Sequence, residues 1–172
     1  MATSKQQTIL KLSHCVLQLE ATRGHLKWKV SDVVRKAGVD RALAYRYFGN
    51  SKKAILLNAT RFFIEDYYDF TNVNPKTTFG ERVARARKRL QAYPEAIMLY
   101  QRNRSTETFL SAEYVAAEKK FHGRLKALYP HLNDDQIELA HTCIHGIVTA
   151  PFISVERAQE LGQKFEKQFL KP

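Results

Sequence analysis

The sequence predicts an all-α chain of about nine helices, and three observations carry that expectation. Apolar residues recur at helical spacing almost throughout, and strand-like alternation is absent. The seven glycines and five prolines fall mainly between the periodic segments. A hydrophobic share of 44% and a charged share of 26% are ordinary for a globular protein and argue against disorder and membrane spanning. No low-complexity stretch and no repeat of roughly 20 to 50 residues is visible, which sets solenoids aside.

The elements follow in order. Ile9, Leu12, Val16 and Leu19 make one apolar stripe, so a first helix should run from about Ser4 to Ala21, with Gly24 just past its end. A second begins near Lys29, where Val30, Val33, Val34 and Ala37 repeat at helical intervals. Gly38 then permits the positive φ of a sharp helix-to-helix turn. Asp40 suits the N-cap of a short third helix over Arg41 to Tyr47, which stops at Gly49-Asn50; Ser51 caps a fourth reaching about Phe70. Thr71 to Thr78 contains Asn-Pro and reads as a loop.

A fifth helix spans about Phe79 to Ala92, and Pro94 fits the first turn of a sixth. Ser105 or Thr106 opens a seventh with Leu110, Tyr114, Ala117, Phe121, Leu125 and Leu128 as its stripe, ended by Tyr129-Pro130. Asn133 and Gln136 have capping-box spacing and start an eighth, with Ile137, Ala140, Ile144, Ile147 and Val148 on its apolar face. Pro151 limits it, and Ser154 starts a ninth carrying Ala158, Leu161, Phe165 and Phe169.

Charge is distributed unevenly. The chain carries a formal net charge of +11, yet residues 1–60 hold eleven Lys and Arg against only Glu20, Asp32 and Asp40, so +8 of it lies there. Such a basic end favours a polyanionic partner. The polar start, Met1 to Gln7, does not resemble a secretory signal, and no apolar run approaches bilayer length, so a cytoplasmic location without membrane contact is expected. Cys15 and Cys143 lie far apart in apolar patterns, as buried free thiols would.

Three short helices with a Gly-containing turn between the second and third, on a basic segment, are what a helix-turn-helix reader of DNA needs. The run from Lys29 to Leu56 resembles the DNA-binding signature of the TetR family of bacterial transcriptional regulators. The likeness lies in the Ala37-Gly38-Val39 turn, the Tyr45 and Phe48 spacing, and the Ser51-Lys52 that opens the next helix. It departs from the usual pattern at Ala42, Leu43 and Ala44 and by one extra residue between Phe48 and Lys52, so the family's operator preference does not transfer.

The resemblance implies a helix-turn-helix domain over residues 1–53 and a helical sensor and dimerisation domain over 54–172. It implies a ligand-responsive repressor acting as a homodimer on palindromic double-stranded DNA. The implied contact set is Lys29, Ser31, Arg41, Ala42, Leu43, Tyr45, Arg46, Tyr47 and Lys52. Lys29, Tyr47 and Lys52 would anchor phosphates, Arg41 and Arg46 would reach guanine edges, and Leu43 would press on a thymine methyl. Ser51 and Lys53 compete with Lys52 for the phosphate contact. Val33, Val34, Ala37, Ala44 and Phe48 should be core. The helices near 133–150 and 154–170 should pair with their mates in a dimer. A small apolar ligand would sit among Phe63, Tyr67, Phe70, Tyr93 and Met98.

Other segments carry weaker signals. Arg82, Arg85, Arg87, Lys88 and Arg89 in the fifth helix read as a solvated or acid-pairing face, with secondary DNA contact the lesser alternative. Glu138, His141 and His145 have a metal-compatible spacing, but histidines beside an apolar face are more often structural, and neither a metal nor another cofactor is expected. No nucleophile-and-base set, paired carboxylates or phosphate loop supports an enzyme. A DNA-bound dimeric scaffold answering to a protein partner is the alternative to a ligand-responsive regulator.

Overall fold

The computed structural model describes residues 4–68, 77–104, 106 and 108–171. Among them the chain is all-α, with α1 (Ser4–Arg23), α2 (Val30–Ala37), α3 (Arg41–Phe48), α4 (Lys52–Tyr67), α5 (Phe79–Ala92), α6 (Pro94–Arg104), α7 (Ser111–Leu128), α8 (Asp134–Thr149) and α9 (Val155–Phe165), which continues as a π-helical turn through Leu170. No helix among the described residues is long and apolar enough to cross a membrane.

The caps explain most boundaries. Ser51 Oγ accepts from Ala54 N at 3.1 Å at the start of α4, and Thr78 exchanges bonds with Glu81 at the start of α5. Asn133 and Gln136 form a reciprocal capping box on α8, and Ser154 accepts from Arg157 N at 3.1 Å to open α9. Asp40 holds the N-cap position of α3 but makes no side-chain cap bond.

Some expectations need correction. α7 starts at Ser111 rather than Ser105 or Thr106, because Thr108 N and the Ser111 hydroxyl bond each other at 2.9 Å and that hydroxyl donates to Asn103 O at 2.7 Å, closing the end of α6 first. Leu128 and Phe169, expected on apolar stripes, are 52% and 60% exposed. Phe70 and most of the expected loop lie outside the described residues.

The chain divides into two compact units. The first comprises Met1–Glu65 with Tyr93–Tyr114, the second Asp66–Ala92 with Val115–Pro172. In the first, α1 packs on α2 and α6, and Leu12, Val16, Trp28, Val33, Ala44, Phe48, Ile55 and Leu56 are all effectively sealed from solvent. Val34 is half-buried rather than core. In the second unit α5 packs on α8 and, most extensively, on α9. That last crossing is close because two glycines meet in it: a Cβ on Gly162 would stand 3.0 Å from Gly80 Cα.

Candidate nucleic-acid interface

The turn between α2 and α3 is specified by backbone chemistry. Gly38 has φ +64°, its N–H reaches Arg35 O at 3.4 Å, and the next N–H, of Val39, reaches Val34 O at 3.1 Å. These are the paired bonds of a Schellman ending, and they satisfy the carbonyls that the end of α2 leaves open. A Cβ at Gly38 would meet nothing within 4 Å, so the left-handed angle, not crowding, asks for glycine. Ala44 and Phe48 on α3 are buried against the head, which turns Arg41, Ala42 and Arg46 outward to solvent.

On that outer face Arg41 Nε donates to Tyr45 Oη at 2.7 Å, with its guanidinium 5.2 Å from the Tyr45 ring centre. One helical turn separates the pair, so Tyr45 holds Arg41 in an ordered pose. Leu43, Tyr45 and Tyr47 are half-buried, and Lys5 Nζ lies 5.9 Å from the Tyr47 ring centre. Lys29 is the N-cap residue of α2, and both it and Ser31 are exposed. The nine expected contact residues thus lie on α2, α3 and the start of α4, all within the first unit.

The three competitors at the start of α4 have different engagements. Ser51 caps the helix, Lys53 Nζ lies 4.9 Å from the Phe109 ring centre, and Lys52 Nζ donates to Leu26 O at 2.9 Å. Lys52 therefore clasps the connection between α1 and α2, where Leu26 is held at a left-handed φ of 54°.

Glu20 holds the other side of that connection. Its carboxylate is fully buried and accepts from Trp28 Nε1 at 2.8 Å, Leu26 N at 3.0 Å and Arg102 Nη2 at 3.3 Å, with His25 Nδ1 at 2.8 Å. Arg102 comes from α6, so one carboxylate ties the connection before α2 to a helix far along the sequence. Sequence reasoning counted Glu20 only as an acid in a basic segment. The signal available was Trp28, the single tryptophan, whose indole N–H needs an acceptor once buried.

Arg87 departs from the solvated face expected of the fifth helix, for it is buried. It donates to Ile153 O at 2.8 Å, Val148 O at 3.0 Å and Pro151 O at 3.2 Å, capping the end of α8 and the connection to α9. Its place on the Val83–Leu90 stripe of α5 was the clue. Arg89 pairs with Asp66 at 2.7 Å, as an acid-pairing reading expects.

Of the expected ligand residues, Phe63, Tyr93 and Met98 belong to the first unit and Tyr67 to the second, and Phe70 lies outside the described residues. Phe63 and Tyr93 pack edge to face at 6.3 Å in the first unit, and Met98 is 63% exposed. Tyr67 instead lines a cavity of about 50 Å³ in the second unit, walled by α5, α7 and α8. His141 borders that cavity with His145. Its Nδ1 is 2.8 Å from His122 Nε2, and its Nε2 is 3.4 Å from Tyr68 Oη. Burial, reinforced by the neighbouring His122, pushes its pKa down to about 4. Glu138 is exposed, and among the described residues no three His, Cys, Asp or Glu side chains are grouped to hold a metal ion.

Among the described residues, then, the chain is all-helical with a helix-turn-helix near its amino end. No protein-family model and no curated protein matches it. It is similar in fold to the crystal structure of a "putative TetR-family transcriptional regulator from Rhodococcus sp.", with a TM-score of 0.64 and 17% identity over 98% of this chain and 100% of that one. At that identity the likeness is one of fold.

Proposed function

We propose that the protein is a sequence-specific DNA-binding transcriptional regulator that acts as a homodimer on a palindromic operator and is released by a small ligand. The observation that carries this reading is the outward, cationic face of α3, with Arg41 and Arg46 exposed on a short helix held from behind by Ala44 and Phe48. Arg41 and Arg46 read guanine edges, while Lys29, Ser31, Tyr47 and Lys52 hold phosphates and Ala42, Leu43 and Tyr45 line the groove. Residues 1–53 serve as the reading head and 54–172 as sensor and dimerisation region.

One such head spans only a few base pairs, so useful specificity requires two heads about 34 to 36 Å apart or a multiple. Leu139 on α8 and Phe152 between α8 and α9 are 59% and 87% exposed, and covering them against a second copy supports dimerisation through this region.

Selection of bound DNA from a random pool, repeated with Arg41→Ala and Lys52→Ala, tests the reading. A palindromic site should emerge. Arg41→Ala should relax preference at one base by about 1 to 3 kcal/mol, and Lys52→Ala should weaken all sequences alike and lower the salt slope by about 1. Indifference of the protein to DNA at low ionic strength would remove the proposal.

A further inference from the structure

We propose that Asp40 selects a cytosine in the DNA site by accepting a hydrogen bond from its N4 amino group. The inference rests on reading α3 as the helix that enters the major groove and adds a specificity-determining residue outside the expected contact set. Residues 1–60 hold three acids. Glu20 is buried and bonded, and Asp32 pairs with Arg23 and Arg35. Asp40 is exposed at the N-cap of α3, where its backbone carbonyl accepts from Leu43 N at 3.1 Å and Ala44 N at 3.2 Å. An aspartate there ordinarily caps with its side chain as well, yet this carboxylate makes no cap bond. Ser51, Asn133 and Ser154, at the starts of α4, α8 and α9, all accept from their helices. The neighbouring guanidinium groups are engaged with other acceptors: Arg35 gives Nη2 to Asp32 at 3.0 Å, and Arg41 gives Nε to Tyr45 Oη at 2.7 Å.

The residues that open a recognition helix are the ones that meet base edges. A carboxylate brought there opposes binding unless the duplex supplies a donor. Phosphate oxygens, guanine O6 and N7, and thymine O4 are all acceptors and repel it. The donors of the major groove are the amino groups of cytosine N4 and adenine N6. Adenine N6 lies beside the N7 acceptor, which would face the second carboxylate oxygen, whereas cytosine N4 lies beside a C5–H that carries no lone pair. Cytosine is therefore the base that a carboxylate accepts and that the other bases cannot imitate. Consecutive Cα atoms are about 3.8 Å apart and stacked bases about 3.4 Å, so this cytosine should neighbour the base that Arg41 reads.

The test selects bound DNA from a random pool with the full chain and with its Asp40→Ala and Asp40→Asn variants. Each is then titrated against the selected duplex, its single-base changes and a random duplex. The unaltered chain should bind cytosine at one position about tenfold more tightly than thymine or guanine. Asp40→Ala should lose that preference and bind random duplex about two- to threefold more tightly, because a charge repelled by phosphates is gone. Asp40→Asn keeps the shape and guards against a loss of folding in the alanine variant. It should admit adenine at the same position, since an amide can accept from N6 and donate to N7. An unchanged selected site in Asp40→Ala, with affinity raised or lowered alike on every sequence, would overturn the proposal and leave Asp40 a solvated acid. Selection of adenine by the unaltered chain at the position that Asp40→Ala relaxes would overturn it too. A chain that ignores DNA at low ionic strength would remove the regulatory reading and this inference together, whereas a site relaxed by Arg41→Ala but blind to both Asp40 variants would remove this inference alone.

Discussion

Among the described residues each compact unit buries one full charge, and the two do opposite work. Glu20, in the first, receives N–H donors from the connection that leads into α2 and a guanidinium from α6; Arg87, in the second, gives its donors to carbonyls at the end of α8 and beyond. A chain entering a helix has spare N–H groups, and a chain leaving one has spare C=O groups, so an anion suits the first place and a cation the second. The difference teaches that the sign of a buried charge follows from which backbone groups its connection leaves unpaired.

The comparison breaks most visibly if the charges are removed. Glu20→Ala should cost about 3 to 5 kcal/mol, because it strands an indole N–H, a backbone N–H and part of a guanidinium. Arg87→Met keeps the apolar stem and strands carbonyls, which tolerate incomplete pairing better, so about 2 kcal/mol is expected. Urea unfolding of both variants measures the ranking, and the reverse order would refute the argument. Glu20→Ala should also weaken DNA binding, since the clasp behind α2 goes with it.

A second contrast concerns glycine. Gly80 is needed for space: a Cβ there would sit 2.7 Å from Gln159 O, a backbone atom that moves only if α9 moves. Gly38 is needed for angle, with open space around it at φ +64°. Gly80→Ala should therefore cost about 3 kcal/mol, at the upper end of overpacking, and Gly38→Ala about 1 kcal/mol. Equal losses in calorimetric melts would mean that α9 can slide to admit a methyl group.

The same contrast explains what could be read from sequence. Gly38, Ser51, Pro94, Asn133 and Ser154 act through their own backbone neighbourhood, so their spacing alone marked the turn and the helix starts. Glu20 and Arg102 are 82 positions apart, and Arg87 and Val148 are 61 apart, so no local pattern announces either bond. Ring partners are equally non-local: Phe63 and Tyr67 stand one turn apart on α4, yet Phe63 packs with Tyr93 in the first unit and Tyr67 lines a cavity in the second.

Titration separates the units further. His141 has a folded pKa of about 4 against an unfolded value near 6.5. Between those values the unfolded chain binds a proton that the folded one refuses, so stability is complete above about pH 6.5, falls as the pH drops, and levels below about 4. Discounted for partial exposure and for coupling to His122, the loss is about 2 kcal/mol. The groups facing His141 are His122, Glu118, His145 and Tyr68. Burial also lowers His145 and, in the first unit, His14, which act in the same direction. His141→Asn should flatten most of the slope in denaturation series between pH 7 and 4.5. A slope unchanged in the variant would assign the acid sensitivity to other groups.

The smallest expected effect lies on the reading face itself. Tyr45 Oη accepts from Arg41 Nε at 2.7 Å, an exposed bond whose net worth is below about 1 kcal/mol. Tyr45→Phe keeps the ring under the guanidinium and deletes only that acceptor, so stability should not change measurably. Arg41 must then be ordered on binding, at a cost that appears only where it reaches a base: about a threefold loss on the selected site and none on random duplex. A uniform loss on both would make Tyr45 a phosphate anchor instead, and would move the reading of sequence onto Arg46.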